Sequence, residues 1–148
     1  MAEKNKIGGC PYLFYFFIVL ACYITGCGQP TRPFTVVFLP DTQVYSETYP
    51  PIFTKQTEWI KENKEKENIV FVTHGGDIVN HNSEQQWERA YQSMNILDGV
   101  VSYCMCLGNH DIGPGGSAQN RETLFDRFFP YTRYEDSGWH GGYMSDAP

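Results

Sequence analysis

Three groups of polar residues in this sequence carry side chains that can bind divalent metal ions. The first begins at Asp41, the second contains Asp77, and the third is the run 109–111, which reads Asn-His-Asp. Carboxylate and amide oxygens are hard donors that suit divalent cations, and one carboxylate can bridge two of them. A pair of such ions activates a water molecule and holds the oxygens of a phosphoryl group. The residue types therefore indicate hydrolysis assisted by metal ions.

Each polar group follows an apolar run that predicts a buried strand. The runs are 34–41 (FTVVFLPD), 68–77 (NIVFVTHGGD) and 100–107 (VVSYCMCL). Two amphipathic helices separate them, and Pro50 lies in the first turn of the helix predicted over 50–68. The order strand, helix, strand, helix, strand predicts an α/β fold with a parallel sheet and right-handed crossovers. Because parallel strands end at one edge of a sheet, the three polar groups should meet there.

The second helix is predicted over 83–97. Ser83 and Gln86 have the spacing of a capping box, and Trp87 begins an apolar face that we assign to the core. Farther along, the Gly-rich stretch 113–117 predicts a mobile loop, since it lacks the Lys and Ser/Thr of a nucleotide-binding loop. A short helix is predicted over 119–129.

The three polar groups resemble motifs of the calcineurin-like metallophosphoesterases. PDTQ, GGDIVNHN and GNHD occur in the family's order, and the resemblance extends over about residues 34–130. It implies a βαβαβ half of the family's α/β sandwich and two divalent ions such as Mn, Fe or Zn. Asp41 would bind the first metal, Asp77 would bridge both, and Asn109 would bind the second. Gln43 stands where the family usually has a histidine, and its carbonyl oxygen is a weaker, neutral donor.

The resemblance also implies a reaction. A metal-bound hydroxide would hydrolyse a phosphate monoester or diester, His110 would protonate the leaving oxygen as general acid, and Asp111 would orient His110. The family's later lone His and GHxH motif are not found after position 111, where His140 is the remaining histidine. We therefore expect the chain to be the N-terminal part of a longer protein. His74 is expected to pack beside the site and His81 to line the substrate pocket.

The first residues predict export from the cytoplasm. Lys4 and Lys6 precede an apolar run at 12–24 that suits a signal peptide, and ITGC at 24–27 resembles the lipobox of bacterial lipoproteins. We expect a signal peptide at 1–26, lipidation of Cys27, a tether at 27–33 and a metallophosphoesterase domain at 34–148. The protein would then be anchored in the bacterial cell envelope and face outside the cytoplasm. An uncleaved membrane anchor is the alternative.

Composition and cysteine use narrow the range of functions. The net charge of −6 argues against a nucleic-acid partner, because such sites usually have a basic surplus. Cys104 and Cys106 are two apart on a strand, so they should share a face, be unable to bond to each other and act as small buried apolar residues. A serine hydrolase is disfavoured because no GxSxG stretch is present. A lipid-anchored, non-catalytic binding module is the alternative to the enzyme.

Overall fold

The computed structural model describes residues 32–135 and 137–138, and its folded unit begins at Phe34. Strands and helices alternate along the chain as the sequence predicts. In order they are β1 (Thr35–Leu39), α1 (Gln43–Glu47), α2 (Pro50–Asn63), β2 (Ile69–His74), α3 (Glu84–Met94), β3 (Ser102–Met105) and α4 (Phe125–Phe128). Short 3-10 turns lie at Asn95–Leu97, Pro114–Gly116 and Tyr131–Tyr134.

The three described strands form a parallel sheet in the order β1-β2-β3. Leu39 pairs with His74, and His74 pairs in turn with Met105, so the carboxyl ends of the strands lie side by side. A parallel pair needs a helical crossover, which α2 and α3 supply. This arrangement confirms the predicted α/β class and the βαβαβ order.

One face of the sheet carries the hydrophobic core. Phe53 of α2 and Trp87 of α3 are fully buried together with Val72 of β2. The ring of Phe129 packs edge-on to Trp87 with a centroid distance of 6.4 Å, so the segment after β3 closes the core. The helix predicted over 119–129 is wrong in extent, because only Phe125–Phe128 is helical.

The other face of the sheet is open within the described residues. Val36 and Phe38 alternate with inward-facing neighbours on β1, and they are 50% and 62% exposed. Cys104 and Cys106 are free and exposed. The prediction that the two cysteines are buried is therefore wrong, and the prediction of a buried first strand holds for Leu39 but not for its outward residues. An apolar run predicts that a strand is buried, but each face of the strand is buried only where another layer of the fold packs against it.

Several predictions fall on residues outside the described ranges. These are the signal peptide at 1–26, lipidation at Cys27, most of the tether at 27–33 and the place of His140. Among the residues that are described, no helix has the length and apolar character needed to cross a bilayer.

Candidate metal centre

The loops that leave the three strands are joined by hydrogen bonds at one edge of the sheet. The backbone N–H of Thr42 donates to the carbonyl of Asp77 over 3.1 Å, which joins the first loop to the second. The backbone N–H of His110 donates to Oδ1 of Asp77 over 3.0 Å, which joins the second loop to the third. The predicted site residues of all three loops are thereby brought to one place, with Asp77 in the middle.

The backbone around Asp77 is shaped for close contact with the third loop. Asp77 has a φ of +48°, in the left-handed region that residues other than Gly seldom adopt. A Cβ added to Gly108 would lie 2.1 Å from Oδ1 of Asp77, so only Gly can occupy that position without moving the carboxylate. Strain of this kind persists where the surrounding contacts hold it, often at functional sites.

Asp111 is a fully buried carboxylate that fastens the second and third loops together. Its Oδ1 accepts the backbone N–H groups of Ile78 and Val79 over 2.8 and 2.9 Å, and its Oδ2 accepts that of Gly108 over 2.8 Å. Burial raises the pKa of the Asp111 carboxyl, while these N–H groups act in the opposite sense. Asp111 thus holds the backbone on both sides of the site, and its expected help in orienting His110 stays a prediction.

The His110 ring is held by a backbone carbonyl. Its Nδ1 lies 2.9 Å from the carbonyl oxygen of Asn80. A carbonyl oxygen can only accept, so Nδ1 must carry a proton. Nε2 is consequently the nitrogen that can gain and lose a proton.

Asp41 and Gln43 form a compact pair at the start of α1. Oδ1 of Asp41 accepts the backbone N–H of Gln43 over 2.9 Å, and Oδ2 accepts the side-chain amide over 3.0 Å. These bonds turn the amide oxygen of Gln43 away from Asp41. That Oε1 atom is buried and has no hydrogen-bond partner. A buried acceptor normally has a partner, and a cation is one partner that an amide oxygen takes. Because the NH₂ group of Gln43 faces Asp41 here, the amide would have to turn over for Oε1 and the carboxylate to share one cation.

The donors at this edge are few and mostly oxygen atoms. Asn109, the predicted ligand of the second metal, is exposed. Over residues 32–135, no three His, Cys, Asp or Glu side chains are grouped closely enough to form a metal site. Two of the four predicted ligands are amides, so the carboxylates of Asp41 and Asp77 supply the negative charge. Carboxylate and amide oxygens are donor types that suit divalent cations, and their role as metal ligands stays a prediction.

His74 lies beneath the site and is completely buried. The N–H of Gly76 donates to its Nδ1 over 3.1 Å, so the ring proton is on Nε2, which lies 3.0 Å from the Thr42 hydroxyl. That hydroxyl then donates to the carbonyl of Ile78 over 3.1 Å. Burial lowers the pKa of His74 to about 4, against a smaller opposing influence of Asp77. His74 is therefore a neutral residue packed beside the site, as expected.

Comparison with known proteins identifies the family. The family model described as calcineurin-like phosphoesterase matches residues 34–144. The chain belongs to this family. It is 40% identical over 111 residues to the uncharacterized protein YvnB of Bacillus subtilis strain 168; that match takes in 74% of this chain and spans 8% of YvnB. No solved structure matches significantly.

Family membership agrees with the sequence motifs and leaves Gln43 as a departure from them. In calcineurin-like phosphoesterases that position usually holds a histidine, and here it holds an amide whose oxygen is buried without a partner. Two contributors to the site escaped the sequence analysis, namely the Asn80 carbonyl and the Gln86 side chain. Oε1 of Gln86 accepts the backbone N–H groups of Asn80 and His81 over 2.8 and 2.9 Å. The capping-box spacing pointed instead to a bond between Gln86 and Ser83, and that prediction is wrong because the Ser83 side chain makes no cap bond.

Proposed function

We propose that this protein hydrolyses small-molecule phosphate monoesters or diesters with the help of two divalent metal ions. Calcineurin-like phosphoesterases hydrolyse phosphoesters with metal ions in general, and the chain belongs to that family. The observation that carries the proposal for this chain is the unpaired, buried Oε1 of Gln43, on the amide whose NH₂ group donates to the Asp41 carboxylate. Both lie at the sheet edge where Asp77 and His110 also meet.

Four residues of the chain would hold the ions. Asp41 and Gln43 would bind the first, Asn109 the second, and Asp77 would serve both. When bound, the ions would lower the pKa of the attacking water and neutralise charge on the phosphoryl oxygens. Mn, Fe and Zn are the candidates. Since the match covers only 8% of YvnB, we propose that further ligands lie outside the described residues.

His110 is proposed as the general acid. Nδ1–H of His110 donates to the Asn80 carbonyl, so a proton gained by the ring is carried on Nε2. From Nε2 the proton can pass to the leaving oxygen. Asp111 keeps the second and third loops in register while this occurs, because its carboxylate bonds to both. The chain thus supplies both the proton and the rigid setting for its transfer.

We also propose that the protein is a lipoprotein of the bacterial cell envelope, anchored through Cys27. The support is the sequence before the domain: Lys4 and Lys6, the apolar run at 12–24 and the lipobox-like ITGC. The substrate would then be a phosphoester outside the cytoplasm.

The substitution Asp77→Asn in the complete protein tests the enzyme directly. Asn keeps the size of the side chain but removes the charge needed to bridge two cations. We expect Mn²⁺-dependent hydrolysis of a chromogenic phosphodiester to fall below about 1% of wild type, in line with the large contribution of such metal ions. Asp126→Asn is the matched control, because Asp126 is exposed on α4. Undiminished turnover in the Asp77 variant would refute the bridging role, and no turnover in wild type would favour the non-catalytic binding module.

A further inference from the structure

The polar groups of Asn80 are held by three different elements. Its N–H donates to Oε1 of Gln86 over 2.8 Å, and its side-chain amide donates to Oε2 of Glu47 over 2.9 Å. Its carbonyl oxygen accepts a hydrogen bond from Nδ1–H of His110 over 2.9 Å. The Asn80 carbonyl shares a peptide plane with the N–H of His81, which donates to the same Gln86 oxygen over 2.9 Å, so this plane has little freedom to turn.

Gln86 connects this turn to a rigid helix. It lies in the first turn of α3, and only 6% of its surface is exposed. Its Oε1 accepts the consecutive N–H groups of Asn80 and His81, so one atom sets the direction of both peptide units. If that oxygen were removed, two partly buried N–H groups would lose their partner, and the turn would have to move to recover one within the protein.

Glu47 connects the same turn to α1. Arg89 of α3 donates to the carbonyls of Ser46 and Glu47 over 3.1 and 2.6 Å, which fixes the end of α1. The two carboxylate oxygens of Glu47 then bind different partners: Oε2 accepts Asn80, and Oε1 lies 3.3 Å from Nε2 of His81. The helix that begins with Gln43 thus ends on the residue that holds the Asn80 side chain.

Gly116, in the third loop, lies close to both Asn80 and His110. A Cβ added to Gly116 would lie 2.6 Å from the carbonyl oxygens of both Asn80 and His110. Gly116 also has a φ of +75°, so its close approach depends on the absence of a side chain. Gly116 therefore packs closely against the backbone carbonyls of both residues.

We propose that Gln86 and Glu47 are positioning residues, which hold His110 in its Nδ1–H tautomer through the Asn80 carbonyl. The tautomer of a neutral imidazole is set by the hydrogen bond that one nitrogen makes. With Nδ1–H committed to Asn80, Nε2 is reserved for proton exchange. The catalytic consequence rests on the proposed hydrolysis, whereas the tautomer itself does not.

Nitrogen NMR of the full chain of 148 residues, labelled at its four histidines, measures the tautomer. Spectra are recorded with EDTA at alkaline pH, and the nitrogen shifts themselves report whether each ring is neutral. A His110→Gln spectrum assigns the resonances. The test variant is Gln86→Met, which removes the acceptor. Gln86→Glu keeps an acceptor oxygen, and Gln92→Met is the control on the exposed side of the same helix.

We expect His110 in wild type to be mainly the Nδ1–H tautomer. In Gln86→Met the ratio of Nδ1–H to Nε2–H should fall by about fivefold, which corresponds to the net free energy of one hydrogen bond. Gln86→Glu should restore the ratio and Gln92→Met should leave it unchanged. Glu47→Ala provides a second perturbation if Gln86→Met does not fold, because Glu47 is only partly buried.

A wild-type ring protonated mainly on Nε2 would overturn the proposal. So would an unchanged ratio in a folded Gln86→Met chain, or in Glu47→Ala where Gln86→Met does not fold. The spectra need neither substrate nor metal, so a failure of the proposed hydrolysis would not alter their outcome. A failure of the positioning role would likewise leave the Asp77→Asn test intact.

Discussion

Acid should destabilise the fold through His74. This ring is fully buried, and burial lowers its pKa to about 4 from the ordinary 6.5. The unfolded chain therefore binds a proton at His74 between these two pH values while the folded chain does not. Stability from this residue is complete above the unfolded pKa and is lost as the pH falls towards the folded pKa.

The size of the effect follows from the difference between the two pKa values. A difference of about 2.5 units, at 1.36 kcal/mol per unit, amounts to about 3 kcal/mol once the pH is below both values. Between about pH 7.5 and about pH 4.5 the loss should be about 2.5 kcal/mol. That is a substantial part of the 5–15 kcal/mol that typically stabilises a domain.

Urea unfolding followed by circular dichroism at the two pH values measures this loss, with EDTA present to remove metal ions. The comparison is His74→Gln, whose amide can accept from Gly76 and donate to Thr42 without binding a proton. We expect the variant to lose about 2.5 kcal/mol less than wild type over this pH range. Because the other titrating groups are common to both chains, their contributions cancel. Equal losses in wild type and variant would refute the reasoning.

Two further substitutions probe how the loops are held. Gly108→Ala should reduce metal-dependent hydrolysis at least about a hundredfold, since the added Cβ would lie 2.1 Å from Oδ1 of Asp77. Gly138→Ala meets open space and should not change the rate; equal rates in the two variants would contradict the argument. Asp111→Ala should lower the free energy of unfolding by about 3–5 kcal/mol in urea titrations, because three buried N–H groups lose their acceptor. A loss below about 1 kcal/mol would show that water replaces the carboxylate.

The sequence predicts the alternation of strands and helices well, because the spacing of apolar residues differs between a strand and a helix. The start of α2 at Pro50 agrees with the prediction, and the apolar face of α3 that begins at Trp87 is buried as expected. The convergence of the three loops also followed from topology, since parallel strands end at one edge. These features depend on residues close together in the chain or on a general rule of sheet construction.

Other features depend on contacts that local patterns do not report. Gln86 had the spacing of a capping box, yet its amide oxygen accepts the N–H groups of the preceding turn. Cys104 has the apolar neighbours of a buried residue but lies on the uncovered face of the sheet. The sequence also does not show that the Asp111 carboxylate accepts the backbone N–H groups of Ile78 and Gly108. Each difference depends on a contact in the folded chain, or on the lack of a covering layer, that the periodicity of the sequence does not report.

Calorimetric titration of Mn²⁺ into the complete wild-type protein and into its Asp77→Asn variant tests the central claim most directly. If the edge formed by Asp41, Asp77 and Asn109 is a metal centre, wild type should bind Mn²⁺ and the variant should bind it at least about tenfold more weakly, because a bridging carboxylate has been lost. Asp126→Asn should match wild type. An affinity unaffected by Asp77→Asn, or no binding by wild type, would contradict the account.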